Sequence, residues 1–364
     1  MSQPTLEDAR ELCGWKPPLG VISVYVGFNP ADRGGAWRTE LRNGLEAVLE
    51  AGKDADHDRR VALRATAKRI AERYEDGDLR PPPRGEAGFV EVAEKSGGER
   101  WWGTAVAPAS DACVEFGEAP VLTPLVELAG RGRARAVALL SSERVRLLRC
   151  AEGALEDLQN WELSITSLDW RERKAQSANN PTRAQGVSSS GHDQFEERLD
   201  HNRQRFLGEC GALVARRLDE DGLDEVVVFG PGVDAEGFSA GFGSPSARLT
   251  PGGEADLIST PRGKLTEIVC GVIAGLDEKR ERSFVDRVLD EARGGVRGAA
   301  GPQEVGEALA EGRVDHLVFD AGIGERAEPL VRGALAGGAR VTVVRDGVGE
   351  LLAGAEGAAA ILRY

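Results

Sequence analysis

Apolar residues recur at Phe195, Leu199, Phe206, Cys210, Leu213 and Leu218, in steps of three to five with one gap of seven. That spacing predicts a long helix packed on one face. A polar run, Gln185 to Gln194, leads into it. Upstream, Arg135–Leu140, Arg144–Cys150 and Leu155–Glu162 read as short strands, the first two joined by a turn at Ser141-Ser142. Downstream, Asp224–Phe229 is a buried strand that ends in Gly230-Pro231-Gly232, a turn of the kind that enters a helix. Toward the N-terminus, Gly20–Val26 is β-branched and strand-like, and Trp37–Ala51 and Asp58–Tyr74 have helical periodicity. Leu41, Leu45, Val48 and Leu49 mark the inner face of the first of these helices, and Val61, Ala65, Ile70 and Tyr74 that of the second. Gly88–Ala93, Arg100–Val106 and Ala112–Phe116 predict a small antiparallel sheet with a turn at Ser96-Gly97-Gly98, and Trp101 and Trp102 fall on opposite faces of their strand. Toward the C-terminus, helices at Phe284–Arg293, Pro302–Glu311 and Glu328–Ala336 alternate with strands at Val314–Phe319, Arg340–Val344 and Ala358–Leu362. This alternation predicts a parallel-type sheet between helices.

Three patterned stretches in 364 residues divide the chain into domains at 1–130, 131–275 and 276–364, all of α/β character. Asn29-Pro30 and Pro81–Pro83 punctuate the first. The second contains a polar region, Asp169–Ser190, with Asn179-Asn180-Pro181 and a serine triplet. A loop of that length inside a domain is functional or disordered.

The chain carries 60 acidic against 46 basic side chains, a net charge of −14, which argues against nonspecific coating of nucleic acid. From Arg171 to Arg217 the balance reverses, nine basic against six acidic. Arg183, Arg198, Arg203 and Arg205 are the candidate phosphate contacts of that stretch, and the same counts fit a helix laced with surface ion pairs. Five scattered cysteines, with no CxxC pair, indicate neither a zinc ribbon nor a disulfide framework, and Cys150 and Cys210 fall where thiols are buried. His192, Asp193 and His201 lack a completing ligand at metal-site spacing, so no metal and no cofactor are expected. Asp315, Asp320 and Asp346 at strand ends read as turn formers. No leader and no membrane-length apolar run is legible, and the expected location is cytoplasmic, with no membrane partner. Oligomeric state is not written in these patterns.

The tip Gly191-His192-Asp193-Gln194, a loop ending in an amide before a basic helix, resembles the Gly-Gly-Gln tip of archaeal and eukaryotic class-1 peptide chain release factors. Ala308-Leu309-x-x-Gly312-x-Val314, leading into a strand, looks like the third domain of release factors and Pelota. The chain is thus similar to the bacterial archaeo-eukaryotic-type release factors. The resemblance implies an α+β N-terminal domain, a ribonuclease-H-like middle domain, and an α/β C-terminal domain like the kink-turn-binding ribosomal proteins. It implies the ribosome as partner, through rRNA and peptidyl-tRNA, and a translational GTPase at the C-terminal domain. It also implies a catalytic tip of Gly191, His192, Asp193 and Gln194, in which the Gln194 N–H faces the developing oxyanion and its side chain places the attacking water. The chain departs from the pattern where His192 and Asp193 replace glycines, residues that reach left-handed backbone without strain. Neither Asn-Ile-Lys-Ser nor Tyr-x-Cys-x-x-x-Phe occurs, so stop-codon reading is unsupported and action would be codon-independent. Two readings follow. One is a peptidyl-tRNA hydrolase that rescues ribosomes from the A site; the other is a Pelota-like or hibernation-type factor that binds the ribosome without hydrolysis.

Overall fold

Seven consecutive buried residues make β1 (Val21–Gly27) the centre of the first sheet. A computed structural model describes residues 3–28, 35–75, 84–104, 108, 112–131, 134–151, 153–163, 190–243, 248–295 and 297–364, the side chains of 75, 112 and 190–198 excepted. Arg183, the run Gln185–Ser189, Asn179-Asn180-Pro181, Asn29-Pro30 and Pro81–Pro83 therefore lie outside the described residues. The chain divides into two compact units, 1–133 with 276–364, and 134–275.

In the first unit β1 pairs antiparallel with β2 (Gly85–Glu91) and β4 (Ala112–Gly117), and β3 (Glu99–Thr104) flanks β2. Ile22, Val24 and Val26 face α2 (Ala36–Ala51) and α3 (His57–Glu75), whereas Val21, Tyr25, Phe89 and Trp102 join the core of α1 (Leu6–Cys13) and α4 (Thr123–Gly130). Alternation along each strand produces the two faces. Trp101 and Trp102 separate across them as expected. The buried face of α3 is rotated from the expected one: Ala62, Leu63, Thr66 and Ala67 are buried with Ile70 and Tyr74, while Val61 and Ala65 are half-buried.

The C-terminal part of this unit contains β10 (Gly298–Ala300), β11 (Val314–Asp320), β12 (Arg340–Val344) and β13 (Ala358–Leu362), in the order β10-β13-β11-β12. Only β11 and β12 pair in parallel; β13 is antiparallel to both its neighbours. The expected parallel-type sheet is therefore a mixed one. Its cause is the link from β12 to β13, a short helical turn and a 3-10 stretch over Asp346–Ala355, which reverses the chain instead of providing a crossover helix. The helix expected at Phe284–Arg293 is the end of a longer one, α7 (Arg262–Gly294). Val285 and Val288 on it pack with Val318, Val344 and Ala359, and α8 (Pro302–Ala310) and α9 (Ala327–Ala336) cover the other face.

Leu122, Leu125 and Val126 share one core with Val331, Leu335 and Val341, so the N- and C-terminal segments are joined by burial. Polar contacts align them. The Glu328 carboxylate accepts from the Thr123 N–H at 2.9 Å, the Thr123 hydroxyl at 2.7 Å and the Leu122 N–H at 3.0 Å, capping α4 from 205 residues away. Arg332 donates to the same carboxylate at 2.8 Å.

Candidate functional site

The second unit is built on a five-stranded sheet. β5 (Arg135–Ser141), β6 (Arg144–Ala151) and β7 (Ala154–Glu162) form an antiparallel meander, and β8 (Val226–Phe229) and β9 (Leu249–Gly253) add in parallel beyond β5. The spatial order β7-β6-β5-β8-β9 is the ribonuclease-H-like one expected for this segment. The first turn falls one residue later than read from sequence, at Ser142-Glu143, because Ser141 still pairs with Arg144.

The long helix, α5, runs from Ser190 to Asp221 and lies on this sheet. Leu207, Cys210, Val214 and Leu218 are fully buried beneath it, with Phe206 half-buried at the margin. The inner stripe is thus turned by one residue from the expected Phe206 and Leu213. The cause is Gly211, a buried position with no apolar side chain to mark it. Gly208 meets Gly237 and Gly241 of α6 (Gly232–Phe242), the helix that Gly230-Pro231-Gly232 was expected to enter, and Gly211 meets the backbone of Phe238 and Phe242. A Cβ on Gly211 would strike the Phe238 carbonyl, and one on Gly241 the Gly208 carbonyl, so the two backbones are in direct contact. Burial pushes the Cys210 thiol up to about 12, with the Glu209 charge adding to it, and the Cys150 thiol rises to about 12 for the same first reason.

The expected loop ends earlier than Gln194. Gly191, His192, Asp193 and Gln194 all lie within the first turns of α5, and their side chains lie outside the described residues, as does that of Arg198. Gln194 stands beyond the free amides of a helix start, so its N–H belongs to the intrahelical ladder in this conformation. The other predicted phosphate contacts are engaged. Arg203 donates to Glu143 at 2.8 Å and to Asp200 at 3.3 Å, and Arg205 to Glu209 at 2.9 Å. The helix is laced with ion pairs, and the exposed ones, such as Arg205 with Glu209, contribute little to stability.

Sequence reading gave no role to Asp234. It sits in the first turn of α6 with 8% of its surface exposed, and burial raises its carboxyl above the ordinary range, the Asp256 charge adding and the Arg203 charge opposing. The signal for it was an acid two residues after a Gly-Pro-Gly turn at the end of a parallel strand, where α/β sheets place ligands. Among the described residues no set of His, Cys, Asp and Glu converges as metal ligands, and no helix is long and apolar enough to cross a membrane.

Residues 134–249 match the family model described as bacterial archaeo-eukaryotic release factor family 5. The chain is similar to three solved structures. An archaeal translation termination factor is 18% identical over 99% of this chain and 98% of that one, with a TM-score of 0.26. Pelota of Archaeoglobus fulgidus is 13% identical over 100% and 94%, with a TM-score of 0.36. A ribosome-bound archaeal Pelota is 15% identical over 100% and 95%, with a TM-score of 0.43. No curated protein matches the chain.

Proposed function

We propose, for a chain whose residues 134–249 match the family model of the bacterial archaeo-eukaryotic release factors, a release-factor-like action on the ribosome. The family match carries this reading, because the matched segment holds the sheet and the helix on which Gln194 stands. The three segments 1–130, 131–275 and 276–364 are its proposed working parts. The middle one reaches the peptidyl-tRNA ester in the A site, and the last offers a surface to a translational GTPase. Entry is codon-independent, as the lack of decoding motifs suggests. Hydrolysis uses the Gln194 N–H for the oxyanion and its side chain to place water, with Gly191, His192 and Asp193 as the tip and Arg183, Arg198, Arg203 and Arg205 on rRNA.

For the Gln194 N–H to reach an oxyanion, the start of α5 must open by about one turn, a low-cost step at a helix end. A second reading, A-site occupancy without hydrolysis, is supported by the helical setting of Gln194 and by His192 and Asp193 where glycines would ease that opening. Release of labelled peptide from stalled ribosome–nascent-chain complexes tests both. The hydrolase reading expects release by the wild type and a loss of at least about 100-fold in Gln194→Ala with ribosome co-sedimentation intact. Co-sedimentation with no release by either protein establishes the occupancy reading, and no co-sedimentation sinks both.

A further inference from the structure

Cys150 and Cys270 are separated in sequence by most of the second unit, and the fold brings their thiols together. Strand β6 sends Cys150 to the face of the sheet away from α5. In the ladder Leu148 stands opposite Val137 and Cys150 opposite Arg135, and cross-strand partners share a face. Val145 and Leu147, with Ala136, Ala138 and Leu140, fill the core beneath α5, so alternation puts Leu148 and Cys150 on the other side.

The first half of α7 meets them there. Leu265 and Val269, one turn apart, are fully buried, and Cys270 follows at the margin of that stripe, half-buried. Two anchors fix the start of the helix. Arg262 donates to Asp157 of β7 at 2.9 Å and to the carbonyl of Leu155, the ladder partner of Cys150. Arg146 of β6 donates to the same Asp157 carboxylate at 2.6 Å. Held in this way, the Cys150 and Cys270 thiols share a hydrogen bond. Both lie within residues 134–275, one compact unit. The other cysteines have different neighbours: Cys13 the Arg332 carbonyl, Cys113 the Glu115 carboxylate, and Cys210 the core beneath α5.

We propose that Cys150 and Cys270 form an oxidation site that closes a reversible disulfide when the folded protein meets a peroxide. Cys270 is the thiol a small oxidant reaches. Its sulfur attacks the peroxide, the O–O bond breaks, and the products from hydrogen peroxide are Cys270 sulfenic acid and water. The Cys150 sulfur then attacks the sulfenyl sulfur, the S–O bond breaks, and hydroxide leaves with the Cys150 proton as a second water. Two electrons pass from the thiol pair to one peroxide. The sulfurs, already in contact, close to about 2.0 Å in this step. Burial pushes the Cys150 thiol up to about 12, with the Cys270 interaction adding to it, so Cys150 offers little nucleophile to bulk oxidant and reacts through its neighbour. The product staples the start of α7 to β6. Nothing in this inference rests on the release-factor reading, since α5 with Gln194 lies on the opposite face of the sheet.

The test treats the full-length folded protein with hydrogen peroxide, blocks remaining thiols with N-ethylmaleimide in denaturant, and reads the unreduced tryptic digest by mass spectrometry. The expected product is peptide Cys150–Arg171 joined to peptide Leu265–Lys279. Dithiothreitol added to the folded protein should return both thiols. In Cys150→Ser the link is lost and Cys270 should advance to sulfinic acid, because no thiol is left to capture the sulfenic acid. Should that buried variant fail to fold, Cys270→Ser, at the half-buried position, must abolish the link and leave Cys150 as a thiol. Cys113→Ser should keep the link. Recovery of Cys150 and Cys270 as maleimide adducts after peroxide would overturn the proposal. So would a link found only between two chains on a non-reducing gel, or sulfinic acid at Cys270 accumulating equally with and without Cys150. The peptide-release assay, which reads Gln194, is separate from all of these outcomes.

Discussion

His316 shows how one side chain writes a pH dependence into the fold. Its ring packs on Phe284 with centroids 4.4 Å apart, and Nε2 lies 2.9 Å from the Thr342 hydroxyl. Burial, then the Arg340 charge, lowers its pKa to about 4 from the ordinary 6.5, with Asp315 opposing. The folded state therefore prefers neutral imidazole. Between those values the unfolded chain binds more protons, so this contribution is fully present above 6.5 and is lost as pH falls toward 4. A tenfold change in proton affinity is worth about 1.4 kcal/mol, and solvent screening of the half-buried ring brings the whole effect to about 2 kcal/mol. Urea midpoints across the window should fall with pH in the wild type and fall less in His316→Gln, which keeps a polar contact to Thr342 and does not titrate. Parallel curves for the two proteins would assign the acid sensitivity elsewhere.

At the scale of elements, the seam between α5 and α6 is where the long helix is fixed on its sheet. Gly211→Ala sets a methyl against the Phe238 carbonyl, which as backbone cannot rotate away, and should destabilise the protein by about 1–3 kcal/mol despite the better helix propensity of alanine. Gly271→Ala, in α7 with open space around it, should stabilise by up to about 1 kcal/mol. Chemical denaturation of the pair gives the contrast, and a destabilising Gly271→Ala would show that helix to be strained there. The same glycines explain what sequence patterns conveyed. Strands β5 to β8 were legible from β-branched runs within a few residues of their ends. The first half of α7 was not, because Gly263, Gly271 and Gly275 interrupt the apolar signal of Leu265 and Val269. Strand β9 was hidden by Pro251, Gly252 and Gly253, residues an edge strand tolerates. The tip residues stood out by type, but where the helix starts is decided by backbone energetics that four side chains do not reveal.

For the whole molecule, the decisive contacts join segments that the sequence separates by the entire middle stretch. Glu328 receives the free amides at the start of α4, and Arg345 meets Glu127, which is 8% exposed. No periodicity could announce such pairings, since each partner reads locally as a surface charge. They help tie residues 1–133 and 276–364 into one compact unit. Removing the Glu328 carboxylate leaves the amides of Leu122 and Thr123 and the guanidinium of Arg332 without their shared acceptor, at a cost of about 3 kcal/mol. Native-state hydrogen exchange on full-length Glu328→Ala should then speed the amides of Thr123–Gly130 and Ala327–Ala336 together, by about 100-fold for that loss. The strands Arg135–Ser141 and Arg144–Ala151 should keep their wild-type rates. Faster exchange confined to α4 would mean that the cap serves one helix and that the N- and C-terminal segments open independently.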